Sequence, residues 1–294
     1  MRVVVTGGLG FIGSHLCAEL ARAGHEATAV DDLSGSYATD WRSPSCEVLI
    51  ADALEAPLER AEAVIHLAAI PGVRARVSGR ALDARNVALA ARLAERAASH
   101  GCRFVLASTS SVYGDARETP TPETAAPRPL NPYADSKVAA EAACPDAVIA
   151  RMFTVYGPGQ RPDMAFARWI ESLARDEPVH WCAPEGAARD FTFVADAARG
   201  LVAALERGRP GEAYNIAGEG PIRVRDALAL LERVTGRRAR LEHVDHGVAE
   251  ARVTAACGRK ALEELGYAPE VGLEDGLERQ VAAATALTPP AIAA

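Results

Sequence analysis

Thr6-Gly7-Gly8-Leu9-Gly10-Phe11-Ile12-Gly13 joins an apolar pentapeptide to a run whose apolar residues recur at helical spacing. A strand, a glycine-rich turn and a helix in that order leave few folds open. Gly7 permits the tight turn, Gly10 lets the backbone approach a pyrophosphate, and Gly13 lets the helix pack on the strand. The N–H groups of the first helical turn then face the phosphates with no intrahelical partner. Glycines at this spacing are weak support alone. They gain force from an acidic residue at the end of the next strand, about 20 residues on. That residue is Asp31, followed by Asp32. A carboxylate there accepts the 2′- and 3′-hydroxyls of an adenosine ribose and repels a 2′-phosphate, so NAD is expected rather than NADP.

The rest of the chain repeats this rhythm. Residues 2–6, 27–30, 48–50, 63–67, 104–107 and 148–150 read as strands, and 11–23, 81–99 and 134–143 as helices. Strands separated by helices imply βαβ units and a parallel sheet. The strands are apolar throughout, as helices on both faces require. The expected class is therefore α/β: a doubly wound parallel sheet of Rossmann type, with a smaller C-terminal mixed α/β substrate domain. After about residue 155 the pattern changes to helices at 166–175, 194–207 and 224–235, between turn signals at 208–211 and 218–221. The expected division is 1–155 for the cofactor domain, with some later chain returning to it, 156–287 mainly for substrate, and a frayed tail at 288–294.

Composition narrows the partners. Apolar residues make up 49% of the 294 and charged residues 24%, which suits a globular chain with a sizeable core. A net charge of -7 argues against nucleic acid or an anionic membrane surface. No apolar run reaches the roughly 20 residues that span a bilayer, and Met1-Arg2 leads straight into a strand rather than a signal sequence. The six cysteines are scattered with no CxxC pair, and read as reduced thiols in a cytoplasm rather than disulfides or a metal site. His243 and His246 lack further ligands and read as a polar turn, so no metal is expected.

A hydroxyl-rich segment, Ser108-Thr109-Ser110-Ser111-Val112-Tyr113-Gly114, follows a strand where such sheets place their ligands. Then comes Tyr133-Ala134-Asp135-Ser136-Lys137. Residues i and i+4 share a helix face, so Lys137 is expected beside Tyr133, where its ammonium favours the phenolate. A phenol that normally titrates near 10 then acts as a base nearer neutrality. Only Lys137 and Lys260 are lysines among 32 Lys and Arg residues, which adds weight to the placement.

Together TGGLGFIG, Asp31-Asp32, Ala51-Asp52-Ala53, HLAA at 66–69, Asn86, STSSVYG, YADSK, RDFTFVADAA at 189–198 and YNIAG at 214–218 resemble the extended short-chain dehydrogenase/reductases that act on nucleotide sugars. The resemblance covers nearly the whole chain. It implies that Tyr133 is the base, that Lys137 orients ribose and tunes Tyr133, and that Thr109 hydrogen-bonds the reacting sugar oxygen. It places adenine against Asp52 and Ala53, and further cofactor contacts at Phe11, Ile12, Gly35, Ser36, Leu67, Ala68, Ala69, Asn86, Ser108 and Met152. Arg189 is implied for the diphosphate, and His66 is a strand-end residue rather than a catalyst. Ser110 and Ser111 stand where dehydratases and UDP-glucuronate decarboxylases carry carboxylates, which counts against both.

The stretch from Arg151 to Phe166, RMFTVYGPGQRPDMAF, is similar to one in UDP-glucuronate 4-epimerases, as is Pro71-Gly72-Val73-Arg74. UDP-glucose epimerases and dehydratases generally have Asn in place of Thr154. The resemblance thus implies a UDP-sugar substrate, with UDP-glucuronate first, UDP-glucose or a dTDP-sugar as alternatives, and a silent NAD-sensing protein as a more distant one. In the implied reaction Tyr133 takes the 4-hydroxyl proton while C4 passes hydride to NAD, and hydride returns to the other face of the 4-keto sugar. Gly72, Arg74, Thr109, Ser110, Ser111, Tyr133, Thr154, Arg161 and Arg189 are the implied substrate residues. Hydrogen bonds from Thr109, Ser110, Ser111 and Thr154 would hold the uronate so that the β-keto acid keeps its carboxylate.

Two departures from the family pattern bear on these expectations. The triplet and arginine that usually supply a second diphosphate contact are replaced by Gly247–Glu250 and 255–257, leaving Arg252 as the candidate. The Tyr133 helix stops at Cys144-Pro145, earlier than in relatives. Family dimers pair this helix with the one at 81–99, which here carries Arg85, Arg92 and Arg96. A shortened helix and arginines that are costly to bury predict a monomer or weak homodimer.

Overall fold

The computed structural model describes residues 1–35, 46–72, 78–245 and 247–287. Strands β1 (Arg2–Thr6), β2 (Glu26–Asp31) and β3 (Glu47–Ile50) form one half of the main sheet, with α1 (Phe11–Arg22) after the glycine-rich turn. On the other side of β1 lies β4 (Ala63–His66). It is followed by α2 (Gly79–Leu82), a wide π-helical turn at Asp83–Ala88, and α3 (Leu89–Ser99). Next come β5 (Arg103–Thr109), α4 (Pro132–Ala143), β6 (Val148–Met152) and β7 (Thr154–Tyr156). The remaining elements are α5 (Ala165–Ala174), β8 (Val179–Trp181), β9 (Ala188–Phe193), α6 (Val194–Arg207), β10 (Ala213–Ile216), β11 (Pro221–Arg223), α7 (Val224–Thr235), β12 (Leu241–His243), α8 (Arg259–Leu265) and α9 (Leu273–Leu287).

Among the described residues the main sheet runs β10-β6-β5-β4-β1-β2-β3, every neighbour parallel. Chain order reverses between β1 and β4, and the crevice beyond the carboxyl ends of the strands at such a switch is where this fold binds ligands. One face is covered by α1, α6 and α8, through Leu16, Leu20, Leu201, Leu205 and Leu265. The other is covered by α3 and α4, through Leu89, Leu93, Ala97 and Ala140. From later in the chain, β10 adds an edge strand beside β6, and α6 lies in the core of the first layer.

Beyond β6 a smaller unit is built from the β11-β9-β7 and β12-β8 sheets. Its core is aromatic, with Tyr156, Phe166, Trp169, Trp181, Phe191 and Phe193 packed among α5, α7 and α9. These strands are only three to six residues long. At that length periodicity is hard to see, which is why only the helices stood out in the sequence.

Local boundaries differ from the sequence reading where caps intervene. The stretch 81–99 is not one regular helix. It starts at Gly79, with the Ser78 hydroxyl accepting from Ala81 N at 3.3 Å, and widens at Asp83–Ala88. Likewise α4 begins at Pro132, where a missing N–H costs nothing, and Asn131 Oδ1 accepts from Ala134 N at 3.0 Å. It ends at Cys144, as Pro145 dictates.

Candidate active site

A cleft of about 1130 Å³ opens at the carboxyl ends of β1, β4, β5 and β6. One end is walled by Gly7, Gly10, Phe11, Ile12 and Gly13. The turn is as tight as the sequence implied. A Cβ at Gly13 would sit 2.2 Å from the Gly7 carbonyl oxygen. One at Gly7, whose φ is +71°, would sit 2.8 Å from Ala68 N. No side chain caps α1 at Gly10 and no acid stands in its first turn, so its N–H groups are left for an anion.

Asp31, Asp32, Gly35 and Ala53 line the adjoining part of the cleft, with Leu67, Ala68 and Ala69 from the end of β4 and Met152 from β6. Asp31 accepts from Leu9 N at 3.1 Å and Leu33 N at 2.9 Å, which anchors its carboxylate at the strand end. Asp32 pairs with Arg85 at 2.8 Å. An uncapped helix end, a backbone cradle that a Cβ would fill and an anchored acid fit a dinucleotide of the NAD type.

Several expected residues occupy other places. Asn86 is buried and absent from the cleft wall: it accepts from Ile70 N at 2.8 Å and donates to the Ile70 carbonyl and the Ser136 hydroxyl. It shapes the loop behind the cleft. Asp52 is half-buried and caps a short turn at Leu54 N, 2.8 Å away, while Ala53 alone of the pair lines the wall. Ser108 lies along the wall, but its hydroxyl is committed to Glu141. Ser36 and Arg74 lie outside the described residues. His66 is buried against Thr6 Oγ1 at 2.6 Å, and burial together with the Lys137 charge pushes it down to about 3.

Thr109, Ser110, Ser111, Tyr133 and Lys137 converge on the middle of the cleft. Thr109 Oγ1 accepts from Ser111 N at 3.2 Å and hydrogen-bonds Tyr133. Burial raises the Tyr133 phenol above its usual value, while the Arg161 charge and the Thr109 hydrogen bond pull it back. The Lys137 ammonium, one turn along the same helix, donates to the Ala107 carbonyl at 3.0 Å. Burial pushes Lys137 itself down to about 8, opposed by Glu141.

The far end is lined by Gly72, Thr154, Arg161, Asp163, Arg168, Arg189 and Glu250. Arg161 grips Asp163 through two hydrogen bonds of 2.9 and 2.8 Å. Its guanidinium lies so close to Gly72 that a Cβ there would be 2.9 Å away. Arg189 donates to the Arg252 carbonyl at 3.1 Å and to Glu250 at 3.3 Å. Arg252 does not reach the wall; its guanidinium lies over Gly186. Arg168 and Glu250 were not singled out from the sequence. Arg168 stands two residues past the RPDMAF match, whereas no local signal marks Glu250.

Residues 3–217 match the model of the NAD dependent epimerase/dehydratase family. The chain belongs to that family. It is 36% identical to the uncharacterized UDP-glucose epimerase YtcB of Bacillus subtilis, over 96% of this chain and 97% of that one. It is 32% identical to the UDP-glucuronate 4-epimerase of Thermodesulfobacterium geofontis, over 95% and 94%. The crystal structure of the UDP-glucuronic acid 4-epimerase of Bacillus cereus with UDP-glucuronic acid and NAD superposes with a TM-score of 0.89 at 33% identity, covering 98% of this chain and all of that one. Among the described residues no helix is long and apolar enough to cross a membrane.

Proposed function

We propose that this enzyme inverts C4 of a UDP-sugar, UDP-glucuronate before UDP-glucose, through a transient 4-keto sugar. The observation that carries this reading is that Arg161 acts on the Tyr133 phenol and that Thr154 lines the same cleft. A hydroxyl and a guanidinium beside the base suit a sugar that carries a carboxylate next to the reacting carbon. NAD, when bound, supplies the acceptor and donor of the hydride. Gly7, Gly10 and Gly13 with Phe11 and Ile12 hold its pyrophosphate, and Asp31 takes the adenosine ribose. Tyr133 takes the 4-hydroxyl proton and returns it after the ketone has turned, with Thr109 holding the same oxygen. Lys137 meets the nicotinamide ribose beside Tyr133. Ser110, Ser111 and Thr154 hold the uronate, and Arg189 the diphosphate. Arg168, which hydrogen-bonds His180 at 3.0 Å and lines the cleft, is the better placed of the remaining arginines for a second diphosphate contact.

Incubation of the purified enzyme with UDP-glucuronate, UDP-glucose and dTDP-glucose, with product analysis, tests the reading. UDP-galacturonate as main product supports it. Turnover of neutral sugars alone would overturn the choice of substrate. Thr154→Asn is expected to lower kcat/KM for UDP-glucuronate about tenfold relative to UDP-glucose, or to release some pentose, because one hydrogen bond to a charged group is worth about 1.5 kcal/mol. Unchanged selectivity with no pentose removes Thr154 from carboxylate recognition.

The same reading keeps the enzyme in the cytoplasm, with residues 1–155 as cofactor domain and 156–287 mainly for substrate. It remains a monomer or weak homodimer, though on narrower grounds. Arg85 is satisfied by Asp32, and Arg96 by the Leu54 and Ala56 carbonyls, so Arg92 alone of the three stays exposed without such use. What supports a weak interface is the short α4. Sedimentation at low micromolar concentration is expected to show monomer or a dimer that dissociates on dilution; a dimer that persists contradicts it.

A further inference from the structure

An ion pair is buried directly behind the helix that carries Tyr133 and Lys137. Glu141, one turn beyond Lys137 on α4, is 8% exposed, and Arg151 on β6 is 7% exposed. The carboxylate accepts from Arg151 Nε at 3.0 Å and Nη2 at 2.7 Å, and from the Ser108 hydroxyl. Arg151 Nη1 donates onward to the Tyr113 hydroxyl at 2.9 Å and the Glu123 carbonyl at 3.0 Å. Tyr113 in turn donates to Asn215 Oδ1 at 2.7 Å.

Stability is a poor reason for this arrangement. An acid in the last turn of a helix opposes the helix dipole. A buried pair also pays for desolvation that two apolar side chains would avoid. What the pair does provide is a brace between three elements of the active site. Ser108 precedes Thr109 on β5, Glu141 follows Lys137 on α4, and Arg151 lies three residues before Thr154. It also puts a negative charge beside an ammonium whose own hydrogen bond goes to a neutral carbonyl.

We propose that Glu141, held by Arg151 and Ser108, is a positioning residue for the reaction: it keeps Lys137 charged and fixes α4 against β5. This rests on the catalytic reading of Tyr133 and Lys137. The groups around Lys137 leave Glu141 the part. Tyr133 on its own helix is raised by burial, and His66 on β4 is held neutral. Arg161, from the loop after β7, is a second cation, while Tyr113 and Glu123 are reached only through Arg151. Burial draws Lys137 down to about 8 even with Glu141 opposing it, so Glu141 is the charge that keeps it from falling further. Without Glu141 the ammonium loses its proton at lower pH, so activity that needs it ends at lower pH.

The test removes both charges together, so that neither is left buried alone. The holoenzymes of Glu141→Met/Arg151→Met and Glu141→Gln/Arg151→Gln are compared with wild type and with Lys137→Met. Both pairs are expected to melt within about 5 °C of wild type and to keep their NAD. Their alkaline limb of kcat is expected to move down by about one pH unit, with kcat at pH 8 reduced about fivefold. The Lys137 side-chain NMR signal, assignable because Lys260 is the only other lysine, is expected to titrate lower by the same amount. A wild-type pH profile in either folded pair overturns the proposal while inactive Lys137→Met leaves the catalytic reading standing. Full activity of Lys137→Met overturns both. Collapse of both pairs shows that the role is structural and likewise overturns the proposal.

Discussion

Tyr133→Phe is expected to lower kcat about 1000-fold while the protein folds and keeps its NAD, since a positioned base contributes about 10²–10⁴. The substitution removes one oxygen from a ring that is already half-buried, so packing changes little. It also removes the partner of the Thr109 hydrogen bond, but Thr109 retains Ser111. Binding of the sugar nucleotide is therefore expected to persist with KM within a few-fold, and the loss to fall in kcat. Steady-state kinetics with bound-NAD analysis checks this. Turnover within tenfold of wild type removes Tyr133 from proton transfer. Because burial raises the phenol and Arg161 lowers it, Arg161→Met is the informative companion: without that cation the phenol stays protonated to higher pH, and the acid limb of activity shifts upward.

What could be read from the sequence was local. The glycine-rich turn, Asp31 and the placing of Tyr133 and Lys137 on one helix lie within single strand–turn–helix units, where spacing alone fixes which residues share a face. The parallel sheet followed from alternation of strands and helices. What could not be read depends on partners far along the chain. Asn86 spends its amide on Ile70 and Ser136, 16 and 50 residues away. Asp52 has the expected location but spends an oxygen on a turn of its own. Arg161, whose charge lowers the Tyr133 phenol, arrives from a loop that follows a different strand. Glu141 and Arg151 each look unremarkable in sequence, and their meaning appears only when α4 is laid across β5 and β6.

The glycines of the first turn separate folding from cofactor binding. Gly13→Ala is expected to destabilise the apoprotein by about 3 kcal/mol or more, because overpacking against backbone has no side chain to move aside. Its Cβ would meet the Gly7 carbonyl oxygen at 2.2 Å and Gly8 Cα at 2.8 Å. With a total stability of about 5–15 kcal/mol, that is a large share. Gly10→Ala is a different case. Its φ of -72° suits alanine, and its nearest contact would be Gly7 O at 3.2 Å. Replacing a glycine N-cap costs about 1 kcal/mol or less, so the apoprotein is expected to fold. The added methyl nevertheless occupies the side on which a pyrophosphate approaches the helix N-terminus. NAD affinity is therefore expected to fall at least about 100-fold in Gly10→Ala with little change in melting temperature, as steric loss of two or more phosphate hydrogen bonds implies. Melting curves of the apoproteins and calorimetric titration with NAD distinguish the two. If Gly10→Ala binds NAD as wild type does, the pyrophosphate does not lie over this turn.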